Sequence, residues 1–237
     1  MQSAASPKPP NFADSIRSVQ TIEEVARRPS PAPRPNALAF DGELLWMGSL
    51  ETERLYAIDP RTWGVREEAQ APGKPYGMVA IGDEFRVVCG ETAEDHRIIR
   101  KFVPGHGFKK EGAIPCPDDT GSYLGYDGDL LYVSQFYNRK IISVDDAGHF
   151  GTPIPAPHDI CGQVVIEGLF YLITTEDEDT DEYFLTRIDA RDGKVKSEDV
   201  ARVPFKARSL AFDGRRFWTN HRAQHEIVAF TAEGAPQ

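Results

Sequence analysis

One ten-residue pattern occurs twice, near the two ends of the chain: residues 37–46 read ALAFDGELLW and residues 209–218 read SLAFDGRRFW. Three looser copies lie between them, GMVAIGDEFRV from Gly77, YLGYDGDLLYV from Tyr123 and QVVIEGLFYLI from Gln163. Each copy reads as an apolar strand, a tight turn ending in glycine, and a second strand opening on an aromatic or branched residue. The turn glycines are Gly42, Gly82, Gly128, Gly168 and Gly214, spaced by 40, 46, 40 and 46 residues. A period in the forties made of short strands predicts propeller blades. Five such periods nearly use up the 237 residues, so the expected fold is an all-β, five-bladed β-propeller of four-stranded antiparallel blades. Residues 1–15, poor in apolar side chains, read as a mobile arm, and residues 16–237 as a single propeller domain.

Each blade has the same grammar. The innermost strand carries small residues (Gly77, Gly125, Gly162, Ala211) where strands crowd the axis, and a D-G, I-G or E-G turn leads to the second strand. Asp-Gly suits such a turn because both central positions tolerate positive φ. Third strands follow at residues 54–59, 96–103, 139–145, 183–189 and 225–230, most of them alternating apolar with polar as half-buried strands do. Polar fourth strands come next, and a proline (Pro29, Pro72, Pro117, Pro157, Pro204) stands after each, where it stops the ladder. The last blade has only three strands of its own. EEVARRP at residues 23–29 echoes EDVARVP at residues 198–204, so residues 16–27 are expected to supply the missing outer strand and close the ring.

Composition removes several function classes. A net charge of -10 and a pI near 5.1 do not suit a nucleic-acid partner, which needs clustered Lys and Arg to displace counterions. No apolar run reaches the 18 residues of a membrane span, and the opening MQSAASPKPP lacks a signal-peptide core. As written the chain reads as cytoplasmic; with a signal peptide already removed it would be periplasmic or secreted. Three cysteines, Cys89, Cys116 and Cys161, without C-x-x-C spacing read as buried free thiols rather than a disulfide or zinc framework. Trp-Asp and Gly-His signatures of WD40 blades are missing.

The propeller topology places one group of loops at the face where the innermost strands begin, here called the top. Six residues before each turn glycine stand Asn36, Tyr76, Ser122, Gly162 and Arg208; the loops after the second strands add Glu91, Gln135, Asn220, His221 and Arg222. A polar, mixed-charge mouth is expected there. Within it His158 is the expected acid/base, Asp159 its orienter and Arg208 the anion anchor, with His221 and Glu91 assisting. Asn36, Tyr76, Ser122, Gln135 and Asn220 are the expected substrate contacts, and Cys161 a conceivable thiolate beside His158. The run TEDEDTDE at residues 175–182 keeps D-x-D-x-D spacing, but Glu182 and Ile188 stand where a calcium loop needs glycine and glutamate, so it reads as an acidic hairpin tip. No motif requires a cofactor; a divalent metal on the top face or axis is left open. G-x-S-x-G, a Gly-rich phosphate loop and H-E-x-x-H are all missing.

With NALAFDG at residues 36–42 and YGMVAIG at residues 76–82, the chain resembles the plant and bacterial type of glutaminyl cyclase (glutamine cyclotransferase) over nearly its whole length after residue 16. Gly77 and Met78 stand where that family has an acidic residue in the second inner strand. The blades also resemble those of NHL-type and streptogramin-lyase propellers. These resemblances imply a small polar molecule at the top of the channel and a lyase or acyl-transfer (cyclotransferase-like) reaction. The alternative is a non-catalytic propeller that binds a small molecule or a protein partner on the same face. Neither nucleic acid nor membrane is an expected partner.

Overall fold

The computed structural model describes residues 19–145 and 147–236. They form five antiparallel sheets, and the innermost strands Pro35–Phe40, Lys74–Ile81, Leu124–Tyr126, Asp159–Ile166 and Ala207–Phe212 lie against one another in a closed ring. Four sheets follow chain order outward from that ring. In the fifth, the three C-terminal strands are completed by Glu23–Pro29, which pairs antiparallel with Glu226–Thr231. The closing strand thus begins later than the expected residues 16–27, and residues 1–18 lie outside the described residues. Before it, Ile22 donates its N–H to the Arg202 carbonyl, and the Arg202 N–H donates to Gln20. Residues 20–22 therefore run along the outer edge of blade four before the chain enters blade five.

The apolar core is divided into five clusters, one between each pair of neighbouring blades. This follows from strand periodicity: successive side chains face opposite sides of a sheet, and both faces of every blade meet another blade. Leu38, Leu45 and Met47 on one face of blade one pack toward blade five, while Ala37, Ala39 and Trp46 on the other face pack toward blade two.

The D-G turns owe their aspartate to its carboxylate, which is a correction to the expectation from positive φ. Asp41 Oδ1 accepts the N–H groups of Glu43 and Leu44, and Oδ2 accepts the indole N–H of Trp46 at 2.7 Å. Asp213 repeats all three bonds with Arg215, Arg216 and Trp218, and Asp127 with Asp129, Leu130 and the Tyr132 hydroxyl. Only the glycines of these turns have positive φ, 103° at Gly42, 104° at Gly128 and 90° at Gly214. In blade four both turn residues do, Glu167 at 52° and Gly168 at 74°.

Each latched aromatic reaches a neighbouring blade. Trp46 meets Phe85 and Phe102 with ring centroids 5.1 and 5.3 Å apart, Tyr132 meets Phe170 at 4.9 Å, and Trp218 stacks on Trp63 at 6.1 Å. At the axis, close approach of strands selects glycine. A methyl group on Gly162 would lie 2.5 Å from the carbonyl carbon of Ser209, and one on Gly77 2.6 Å from Tyr123 Cα.

Two stability measurements check this account. Asp41→Ala leaves a buried indole N–H without its acceptor and should cost about 2–3 kcal/mol in urea unfolding; a loss under about 0.5 kcal/mol would show that the latch is dispensable. Gly162→Ala should cost about 1–3 kcal/mol through overpacking against backbone that has nowhere to move, whereas an unchanged unfolding midpoint would contradict the axial contact.

Candidate functional site

The innermost strands of four blades skip register at the top of the ring, between Pro35 and Ala37, Pro75 and Gly77, Ile160 and Gly162, and Arg208 and Ala211. A bulge re-aims the side chain it carries. The residues between the paired positions are Asn36, Tyr76 and Cys161, with Ser209 and Leu210 in blade five. In blade four this is Cys161 rather than the expected Gly162, because the turn glycine is the second turn residue there and the first in blade two. Amides stitch the ring together: Asn220 Nδ2 donates to the Asn36 carbonyl at 2.8 Å, and Asn36 Nδ2 donates to the Tyr76 carbonyl.

Above this ring lies a cavity of about 440 Å³, bordered by Arg34, Lys206, Arg208 and Arg222 on the cationic side, by Glu178 and Asp179 on the acidic side, and by Ala223 and His225. Arg208 is buried and held by three hydrogen bonds. It donates to the Tyr183 hydroxyl at 2.8 Å, to the Ala207 carbonyl at 3.0 Å and to Glu178 at 2.9 Å, with its guanidinium over the Phe136 ring. Glu178 also accepts the Tyr137 hydroxyl at 2.8 Å. The acidic run is therefore more than a solvated tip, since one of its carboxylates folds back over the axis. Arg222, at the start of the short turn Arg222–Gln224, donates from Nη1 to Asn36 Oδ1 at 3.0 Å. Burial lowers its pKa, and the Arg208 charge lowers it further. His225 Nδ1 accepts the Arg34 backbone N–H at 3.0 Å.

The structure does not gather the expected catalytic set at this basin. His158 is 4% exposed, and its ring nitrogens face two other carboxylates: Nδ1 is bonded to Glu176, and Nε2 stands 3.4 Å from Asp199. Asp159, expected to orient it, instead accepts from Arg139 at 2.7 Å, as adjacent residues on an extended chain must point apart. Glu91 is held by two bonds from Arg100 at 2.7 and 2.8 Å. His221 Nδ1 accepts from Arg27 of the closing strand at 2.9 Å, and its ring lies on Phe205; burial and the Arg27 charge both lower its pKa. Of the five, only Arg208 borders the basin.

The expected substrate contacts serve mainly as supports. Asn36 and Asn220 hold the ring and Arg222. Tyr76 donates to Asp95 at 2.7 Å, and burial raises its pKa to about 12. Gln135 is consumed by the Pro117 and Thr120 carbonyls and by Asn138, and Ser122 is buried beneath the mouth. Tyr123 is buried close to Arg208 and Arg222. Cys161 is fully buried and its pKa is pushed up to about 12 by that burial, the opposite of a reactive thiolate. Among the described residues no group of His, Cys, Asp and Glu has the arrangement of a metal site. Arg34 and His225 stand out in no sequence pattern, and Glu178 and Asp179 read only as part of the acidic hairpin tip, because the fold of these loops over the axis has no local signature.

No family model and no curated protein matches the chain. Among solved structures it is similar to hydrazine synthase of Kuenenia stuttgartiensis, 17% identical with a TM-score of 0.53 over 81% of this chain and 63% of that one. It is similar to virginiamycin B lyase from Staphylococcus aureus, 14% identical with a TM-score of 0.51 over 86% and 68%. The PQQ-bound aldose sugar dehydrogenase from Streptomyces coelicolor is 12% identical with a TM-score of 0.58 over 90% and 98%. The chain thus spans less than two thirds of the hydrazine synthase chain. At these identities the likeness establishes the β-propeller fold.

The His158 geometry predicts a pH effect. Burial by itself would lower its pKa, but the hydrogen bonds and charges of Asp199 and Glu176 outweigh burial and hold it above the ordinary 6.5. A raised folded-state pKa contributes stability that is full below about pH 6.5 and lost as pH rises through the folded value. The stability deficit of His158→Ala relative to wild type should therefore shrink between about pH 6.5 and 9, by on the order of 1 kcal/mol. A deficit constant across that range would show that His158 is neutral in the fold.

Proposed function

We propose that the protein is a propeller that binds a small polar molecule in the basin at the top of its axis. The observation that carries this reading is the preorganisation of the basin wall. Arg208 is fixed by Tyr183, Ala207 and Glu178, and Arg222 by Asn36, so both guanidinia face a ligand-sized space without first having to order themselves.

Of the two function classes the sequence suggests, ligand binding is the one this geometry supports. A lyase or cyclotransferase-like reaction, for which the sequence resemblance speaks, would draw its proton-exchanging groups from the same basin. There His225, Glu178 and Asp179 are at hand, in place of the dispersed His158, Asp159, His221 and Glu91.

The test is titration of isotope-labelled protein with a panel of small polar molecules, read by amide NMR. Ligands should move the resonances of Lys206, Arg222, Ala223 and His225, and Lys206→Ala should weaken them about three- to tenfold, as loss of one partly exposed charged contact implies. Hits confined to other surfaces would overturn the assignment, and hits that are also consumed would add turnover to binding.

A further inference from the structure

We propose that the ligand of the axial basin is a small organic anion, carrying a carboxylate or a phosphate, with Arg222 as the anchor for its oxyanion. The inference rests on the basin being the ligand site and names the chemical class that it takes.

Arg222 is an exception in this molecule. Every other described arginine withdrawn from full exposure, Arg54, Arg97 and Arg208 among them, has a carboxylate within 4.0 Å. Arg222 has none among the described residues, although the chain carries 37 Asp and Glu against 27 Lys and Arg. One of its five N–H donors goes to Asn36 Oδ1, and the others meet no protein acceptor among the described residues. None of its nitrogens is among the sealed atoms that lack a partner, so these donors open onto the basin. A planar donor fork with free N–H groups matches the two oxygens of a carboxylate or phosphate.

The surroundings favour an anion as well. Glu178 is neutralised by Arg208 at 2.9 Å, which leaves Arg34, Lys206 and Arg222 against Asp179 on the basin wall. Neither Arg34 nor Lys206 has a carboxylate within 4.0 Å among the described residues. Arg222 feels the repulsion of Arg208 and Arg34. In a chain of net charge -10, a locally cationic pocket of this kind concentrates small anions against the overall field. On the acidic side, Asp179 suits a hydroxyl or ammonium donor at the other end of such a molecule.

Isothermal titration and amide NMR of the full chain at constant ionic strength would use inorganic phosphate, glycerol 3-phosphate and succinate, with glycerol and succinamide as neutral counterparts. The anions should bind and shift Arg222, Ala223 and His225, and the neutral counterparts should bind at least about tenfold more weakly. Binding of the phosphates but not succinate, or the reverse, would identify the oxyanion. Arg222→Gln keeps a side chain able to reach Asn36 and should weaken anion binding about tenfold or more; Arg222→Lys, which keeps the charge but loses the fork, should fall between. Lys206→Gln, at a half-buried loop position, gives the same readout if Arg222→Gln does not fold, and Arg28→Gln on the outer strand of blade five should leave binding unchanged. Anion binding insensitive to both Arg222→Gln and Lys206→Gln would overturn the proposal. If the neutral probes shift the basin resonances and the anions do not, the basin remains a ligand site and the anion inference fails. If no probe of either kind shifts them, both readings fall.

Discussion

The aspartate latch of blades one, three and five is the contact from which the rest of the packing extends. Its carboxylate closes the turn through two backbone N–H groups and then holds the aromatic side chain five residues on. That aromatic forms part of a cluster shared with the next blade, so one short motif ties hairpin geometry to the angle at which blades meet. A ring of five blades has no central core to absorb errors in that angle. The close approaches at Gly77 and Gly162 show how little room remains at the axis. Turn, hairpin and ring closure are in this sense one constraint expressed at three scales.

Closure by the N-terminal strand draws side chains away from the mouth that chain order alone would leave there. Arg27 donates to both His221 and Glu226, so His221 belongs to the seam. His158, Glu176, Arg139 and Asp159 similarly form an ionic network where blade three meets blade four. Partly buried ion pairs of this kind contribute little net stability but are costly to break on one side. Among the described residues, the other buried and half-buried arginines all have a carboxylate within 4.0 Å, and this is what gives Arg222, which has none, its meaning.

The basin itself results from two features acting together. Bulges at the ends of the innermost strands carry Asn36, Tyr76 and Cys161, and Asn36 links Asn220, the Tyr76 carbonyl and Arg222 into a floor. Loops from blades one, four and five then bring Arg34, Glu178, Asp179, Lys206, Arg222 and His225 above it. The innermost strands thus fix where the basin lies, while its loop-built rim sets the chemistry of its wall.

Much of this molecule is written in short-range pattern. Blade number, the glycine spacing and the third strands follow from residues that interact with neighbours in the same hairpin, and a hairpin imposes its two-residue period directly on the sequence. The closing strand, which pairs across some two hundred residues, shows only through its echo of residues 198–204. Arg208 was legible too, because its place depends only on where an innermost strand begins. The pairing of His158 with Glu176 and Asp199 was not, since those partners lie 18 and 41 residues away. Nor was the capture of His221 by Arg27 across 194 residues, or the return of Glu178 onto Arg208. By itself the sequence determined the five-bladed architecture, because strand alternation and turn chemistry are local. Only the tertiary structure decided which charges are satisfied and which are left facing the cavity, because ion pairing in a ring depends on distances between chain segments that no local period records.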